Sequence, residues 1–282
     1  MTTTADKAAL LDSLHVPGTP LIVTNVWDAL SARAVAAAPG VKALASASHA
    51  VSNTRGFEDG EGMSVDVALE AAQAITSAVD LPVSIDFERG YTRNLAKLQQ
   101  NITRLINAGA AGLNFEDSTG NPAQPLFPLE EQLDRIRVVR AAADSAGVPL
   151  VLNARVDALV RGSDWDDALT RANAYLEAGA SVIFMLGLGD EVAVQRAVGG
   201  VNGRVSTISG PTSVPLKRLA ELGISRVSFG PYTLGLVLAH LQAAAAQLTA
   251  LGDYPQELGF EYSLEDPRRM SPAVVEDHYE EV

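Results

Sequence analysis

The stretch VSIDFERGY, residues 83–91, begins as a buried strand and ends on two carboxylates, Asp86 and Glu88, with Gly90 and Tyr91 directly after them. Short apolar runs of this kind belong to parallel sheets that are covered on both faces. The run has companions at regular intervals: PLIVTN (20–25), KALASAS (42–48), PVSIDFE (82–88), AGLNFED (111–117), PLVLNAR (149–155), SVIFML (181–186), RVSTIS (204–209) and RVSFG (226–230). Between them lie stretches such as DALSARAVAAA, VDVALEAAQAITSAV, LAKLQQNITRLINAG and PLEEQLDRIRVVRAAADSAG. Their apolar residues recur every three or four positions and several end on glycine, as helices do. Eight strand–helix units predict an α/β fold, a (β/α)8 TIM barrel, with a doubly wound open sheet as the alternative. No linker interrupts the middle of the chain, so residues 1–251 read as one barrel domain opened by a short helix in ADKAALLDSL (5–14). Residues 252–282 read as an acidic C-terminal extension, either solvated or packed on a neighbouring subunit.

Composition narrows the partners. The 282 residues are 47% hydrophobic and only 5% aromatic, enough material for a large core. A formal net charge of −13 with no basic stripe argues against nucleic acid. No run approaches the ~18 consecutive apolar residues of a membrane span, and no secretory leader is visible, so the expectation is a cytoplasmic protein with no membrane partner. The absence of cysteine removes disulfides, thiolate metal sites and cysteine nucleophiles.

Barrel enzymes carry their chemistry at the C-terminal strand ends. Here those ends supply Asn25, then Ser46, Ala47 and Ser48 with His49, then Asp86 and Glu88, Glu116 and Asp117, and Asn153 and Arg155, while the strand bodies look apolar. On a continuing strand Asp86 and Glu88 point to one side, and two like charges so close are costly without a cation. With Glu116 on the next strand they form an all-oxygen set that suits Mg²⁺, with Mn²⁺ as a substitute. The competing reading makes these acids loop caps or partners of Arg89 and Arg93. Arg155 could equally pair with Asp157 or Glu116, the serines could make ordinary strand-end hydrogen bonds, and Asp59 could be a turn residue beside Gly60. His49 either meets substrate and moves a proton or is hydrogen-bonded structure.

NVWDALSARAV (25–35), SIDFERGY (84–91), GLNFED (112–117) and LNARVDA (152–158), in this order, resemble the isocitrate lyase/phosphoenolpyruvate mutase superfamily. The resemblance runs from about residue 18 to about residue 245. It implies a Mg²⁺-dependent barrel that makes or breaks C–C or P–C bonds beside a 2-oxo acid, with the eighth helix exchanged between subunits of a homotetramer built as a dimer of dimers. Carried over, it places Asp86, Glu88 and Glu116 around the metal and its waters, and Asp59 at the metal waters or the substrate. Arg155 meets the substrate carboxylate or developing enolate, Ser46, Ala47 and Ser48 lie where backbone amides hold the carboxylate, and Asn121 lies in the gating loop.

That loop, EDSTGNPAQPLFPLEE (116–131), departs from the family pattern. It lacks the catalytic cysteine of the lyases acting on isocitrate, which excludes that activity. It also lacks the mutase lysine, since none occurs between Lys97 and Lys217. The first expectation is therefore a Mg²⁺-dependent lyase or hydrolase that cleaves the C–C bond beside a 2-oxo acid or related dicarboxylate through an enolate, as in oxaloacetate decarboxylation. The alternatives are a P–C bond enzyme of the phosphoenolpyruvate mutase or phosphonopyruvate hydrolase type, and a catalytically silent binding or scaffold barrel.

Overall fold

The computed structural model describes residues 2–251 together with the short segments 260–262 and 270–272. By its internal contacts the chain divides into two units, residues 1–231 and 232–282.

The first unit is a (β/α)8 barrel. Its strands are β1 (Leu21–Val23), β2 (Asn25–Val26), β3 (Leu44–Ser46), β4 (Val83–Asp86), β5 (Gly112–Glu116), β8 (Val151–Val156), β9 (Val182–Met185), β10 (Val205–Ile208) and β11 (Arg226–Ser228), with a hairpin of β6 (Ser118–Asn121) and β7 (Gln124–Leu126) after β5. The sheet runs β1-β11-β10-β9-β8-β5-β4-β3-β2 with every pairing parallel. Because β1 and β2 are consecutive pieces of one run, that run bonds to β11 on one side and β3 on the other, and the sheet closes on eight strand positions. Asn25 fastens the seam: its Nδ2 donates to the Ser46 carbonyl at 2.8 Å, and its Oδ1 accepts the Phe229 and Gly230 amides at 2.7 and 2.8 Å.

The helices are α1 (Thr4–Ser13), α2 (Ala29–Ala36), α3 (Ser48–Asn53), α4 (Val65–Thr76), α5 (Leu95–Asn107), α6 (Leu129–Ser145), α7 (Trp165–Glu177), α8 (Glu191–Gly200) and α9 (Leu216–Glu221). Asp28, Ser64, Asn94, Asp164 and Asp190 each start a helix by accepting the N–H three residues on, which satisfies a donor the helix leaves open. The buried faces follow helical spacing, as in Leu98, Ile102 and Leu105 of α5.

Helix α1 plugs the N-terminal end of the barrel. Leu11 reaches Gly112, where a Cβ would lie 2.9 Å from the Leu11 side chain and 2.7 Å from the Val151 carbonyl, so only glycine admits the plug. Arg204 ties the end of α1 down through Asp12 at 2.6 Å. His15, just beyond, is buried and donates from Nδ1 to the Leu11 carbonyl at 2.7 Å. Burial, with Arg226 and Arg204 nearby, pushes its pKa down to about 3 from 6.5. Below pH 6.5 the unfolded chain binds a proton that the folded chain refuses, so stability falls as the pH falls. Between pH 7 and pH 5 this costs about 2 kcal/mol. His15→Gln, which keeps a donor, is expected to raise stability at pH 5 relative to pH 7 by that amount, compared with the unaltered protein, in urea titrations at the two pH values.

The barrel interior is not apolar throughout, contrary to the sequence expectation. Ser84, Asn114, Asn153, Ser206 and Arg226 are all buried and form a polar layer across it. Asn153 donates to Asn114 at 2.8 Å and accepts from Ser206 at 2.8 Å, while Arg226 reaches Ser84 at 3.2 Å. With few aromatics available, a guanidinium and short polar side chains fill the middle. Burial lowers the Arg226 pKa to about 10, which leaves it charged at neutral pH.

In the second unit, α10 (Tyr232–Leu251) is followed by an antiparallel pair, Phe260–Tyr262 with Met270–Pro272. The remaining residues of the acidic extension, including His278, lie outside the described residues. Helix α10 exposes Leu236, Val237, Leu238 and Leu241. A window in it reaches a mean hydropathy of 1.2, so by length and composition alone it meets what a membrane crossing requires. Counting consecutive apolar residues misses this, because His240 and Gln242 interrupt the run while its alanines sustain the average.

Candidate active site

A cavity of about 190 Å³ opens at the C-terminal ends of the strands. Asn25, Ala47, Ser48, His49, Asp59, Asp86 and Arg155 border it, so seven of the residues singled out from the sequence meet there. Asn114, Phe184, Leu186, Ile208, Ser228, Gly230 and Pro231 complete its wall.

Asp86 ends β4 and is held from three sides. Its Oδ2 accepts the Ser48 amide at 2.9 Å, its Oδ1 receives Asn114 Nδ2 at 3.5 Å, and its own N–H goes to Ser46 Oγ at 2.8 Å. Ser48 thus opens helix α3 rather than an irregular loop, and its amide is spent on Asp86; the Ala47 amide is likewise spent on the Val26 carbonyl at 3.3 Å.

Glu88 lies beyond the end of β4, where its φ of 49° turns the chain, so strand alternation does not place it. Burial, followed by the charges of Asp86, Asp59, Glu116 and Glu61, pushes its pKa up to about 8. Among the described residues three non-glycine positions have positive φ, Glu61, Glu88 and Tyr91, and they are bonded to one another. The Tyr91 amide donates to Glu61 at 2.6 Å and its hydroxyl to Glu88 at 3.2 Å. Such strain persists only where surrounding contacts over-determine it, and it concentrates at functional sites. Arg89 joins the cluster to its neighbours. It contacts Glu61 at 3.1 Å, the Gly60 carbonyl at 2.7 Å and Glu116 at 3.5 Å, and so steadies the loop that carries Asp59.

Glu116 ends β5 facing cations. Arg155 Nη1 lies 2.9 Å away, and Ser118 Oγ donates at 2.6 Å. Burial raises the Glu116 pKa against the pull of Arg155. The other edge of Arg155 grips Asp157 with two hydrogen bonds, at 2.6 and 2.9 Å. Desolvation opposes the Arg155 charge, but Glu116 and Asp157 outweigh it and keep the guanidinium protonated. Both ion pairs weighed for Arg155 from the sequence are therefore formed, and Arg155 still borders the cavity. Asp117 sits behind the rim, fully buried, accepting the Asp157 amide at 2.9 Å and the Tyr175 hydroxyl at 2.8 Å. Asn121 does not border the cavity; it is exposed at the tip of the β6–β7 hairpin.

No three carboxylate or imidazole groups among the described residues are close enough to ligate one ion directly. That donor set still fits Mg²⁺, which keeps several waters and takes one or two carboxylates. Asp86 and Asp59 border the cavity as the oxygen donors, and the pKa of Glu88, raised first by burial and then by the neighbouring acids, means that a cation there would favour its ionised form.

A closed parallel barrel with an acidic, arginine-bearing cavity at its C-terminal rim defines the class, a (β/α)8-barrel enzyme. The chain belongs to the isocitrate lyase/phosphoenolpyruvate mutase superfamily, matching the family model described as phosphoenolpyruvate phosphomutase over residues 11–249. It is similar to 2-methylisocitrate lyase of Escherichia coli (strain K12), with 32% identity over 189 residues, 64% of this chain and 62% of that protein. Among solved structures, a Burkholderia cenocepacia J2315 protein provisionally named a phosphonomutase is 38% identical at a TM-score of 0.81, covering 86% of this chain and all of its own (100%). A phosphonopyruvate hydrolase in complex with oxalate and Mg²⁺ is 25% identical at a TM-score of 0.78, over 87% of this chain and 88% of that one.

Proposed function

We propose that this enzyme cleaves a carbon–carbon bond beside the keto group of a 2-oxo acid and releases the enolate of the shortened acid. The observation that carries the proposal is Arg155, a permanently charged guanidinium fixed by Asp157 and Glu116 and bordering the same cavity as Asp86. When the bond from C3 to its substituent breaks, the electron pair moves into C2–C3 and onto the keto oxygen, and the departing fragment leaves without that pair, as carbon dioxide from a carboxylate or, once water has added, as a carboxylic acid from an acyl group. Arg155 is oriented in advance to meet that charge, so it stabilises the transition state more than the ground state. Asp86 and Asp59 would hold Mg²⁺ at the cavity, near Glu88 and Glu116, and the ion would supply Lewis-acid stabilisation of the charge that develops on the substrate oxygens. His49 at the cavity border delivers the proton that C3 then takes up.

Carbon–carbon chemistry is favoured over P–C chemistry by the poverty of cations. A phosphoryl group carries two charges, whereas Arg155 is the cavity's one arginine or lysine among the described residues, and the segment 118–128 supplies none. The similarity to a phosphonopyruvate hydrolase keeps the P–C reading as the second one. Exposed apolar residues on α10 support the exchanged-helix oligomer as a further part of the proposal.

The test is binding and exchange. Oxalate, a stable mimic of pyruvate enolate, is expected to bind in calorimetry only when Mg²⁺ is present. Simple 2-oxo acids are expected to exchange C3 hydrogen for deuterium under proton NMR. Glu116→Gln should weaken Mg²⁺ affinity about tenfold or more, as for other groups that act through a metal's neighbours. Oxalate binding indifferent to Mg²⁺, or unchanged Mg²⁺ affinity in that variant, counts against the site.

A further inference from the structure

The proposed chemistry fixes one end of the substrate, the carboxylate and keto oxygen, and leaves the group on C3 open. Taking that reading as the basis, we infer that the C3 substituent is uncharged and apolar. The substrate class is then a 2-oxo monocarboxylic acid whose C3 carries a short acyl group ending in an apolar chain, rather than a dicarboxylate or a phosphonate. The hydroxyl of water adds to the acyl carbon, the C3–acyl bond breaks with its electron pair passing to the keto oxygen, a short carboxylic acid leaves, and the proton of that water reaches C3 through His49.

Strand register divides the rim into two halves. Asp86 pairs with Asn114, Glu116 with Arg155, and Arg155 with Phe184, so the charged groups occupy β4, β5 and β8 and stop there. The wall then continues as Phe184 and Leu186 at the end of β9, Ile208 at the end of β10, and Ser228, Gly230 and Pro231 at and after the end of β11, so its one polar side chain is a neutral hydroxyl. No cation lies on that arc. Leu186 and Ile208 are partly exposed at the cavity, so covering them removes apolar surface from water.

Charge arithmetic points the same way. Arg155 and His49 are the basic groups bordering the cavity among the described residues. Arg155 already serves Glu116 and Asp157, and His49 stands on α3 and not on the β9–β11 arc. Asp59 and Asp86 face the same space, with Glu88 and Glu116 behind them. One divalent ion matches the single carboxylate of a 2-oxo acid. A second anion on C3 would meet leucine, isoleucine and the single hydroxyl of Ser228, or carboxylates, with no cation to offset its lost water. At about 190 Å³ the cavity lies below the ~300 Å³ where drug-sized sites begin, so the branch is short.

The experiment compares C3 deuterium exchange, with Mg²⁺ present, for 2-oxobutanoate, 2-oxopentanoate and 2-oxohexanoate, and for the matched pair 5-methyl-2-oxohexanoate and 2-oxoglutarate. In each case the C3–H proton passes to His49, the electron pair to the keto oxygen, and a solvent deuteron returns to C3. Exchange kcat/KM is expected to rise about fourfold per added methylene until the cavity is full. The branched monoacid should exceed 2-oxoglutarate at least tenfold. Leu186→Arg, which places a cation on the apolar arc, should reverse that order while oxalate still binds with Mg²⁺. Exchange that favours 2-oxoglutarate in the unaltered protein overturns the inference and leaves the enolate reading standing. Absence of both exchange and oxalate binding overturns the two together.

Discussion

Arg155→Met is expected to destabilise the protein by about 3–5 kcal/mol, the usual cost of removing one partner from a buried ion pair. Its guanidinium separates two buried carboxylates, with Glu116 at 2.9 Å on one edge and Asp157 at 2.6 Å on the other. Methionine fills the volume and leaves both acids without their cation. Of the two, Asp157 has the poorer substitute, since Arg161 stands 3.9 Å away and is half exposed. Glu116 retains Ser118 and the longer contact to Arg89. Arg155→Lys is the informative companion. It keeps the charge but presents a point where a fork is needed, so it should recover part of the stability and little of the exchange rate. Loss of a preorganised donor to a developing oxyanion costs about 10²–10³ in rate, and both variants should show a fall of that order. Urea titrations and C3 exchange measured on the same samples separate the effects. A stability loss below about 0.5 kcal/mol, within the range of an ordinary surface substitution, would show that the acids do not depend on Arg155.

The strands could be read from sequence because each is a short, largely buried and mainly apolar run bounded by turn residues. Asp86, Glu116 and Arg155 stood out because a charge ending such a run has no packing reason to be there. The features the sequence concealed have particular causes. Pro122 and Pro125 disguise the 118–126 segment as loop, whereas Pro125 lies within β7 of an isolated two-stranded hairpin, where a missing N–H is tolerated. The left-handed backbone of Glu88 carries no signal, since a non-glycine residue adopts it only under contacts from Tyr91 and a cluster assembled from distant loops. Arg226 opens a short strand and resembles a surface residue; its partner Ser84 is 142 positions away. The apolar half of the rim was hidden for the opposite reason. Leu186 and Ile208 look like ordinary core, and closure of the barrel is what places them across from Asp86.

The metal-free protein is expected to lose stability as the pH rises, and Mg²⁺ to restore it. Glu88 titrates at about 8 in the folded chain, against 4.5 for an ordinary glutamate. Below pH 4.5 both folded and unfolded chains hold the proton and the stabilisation is complete. Above 4.5 the unfolded chain releases it while the folded chain does not, so unfolding gains about 1.4 kcal/mol per pH unit until the folded carboxyl ionises. Between pH 4.5 and 6.5 His15 acts in the opposite sense, because its folded pKa is depressed. The clean window is therefore pH 6.5 to 8, where Glu88 alone implies a loss of about 2 kcal/mol. Glu116, raised by burial, adds in the same direction. Mg²⁺ binds the ionised cluster in the folded state and so opposes the loss, by about 2.7 kcal/mol at a hundredfold excess over its Kd. Calorimetric melting with EDTA and with saturating Mg²⁺ should give curves that lie close at pH 6.5 and diverge by pH 8. Asp86→Asn should flatten both curves, since it removes a charge that holds the Glu88 proton and an oxygen donor that holds the ion. A metal-free melting temperature that stays level across this window would mean that burial and the neighbouring acids do not hold the Glu88 proton, and this support for a cation in the cavity would be gone.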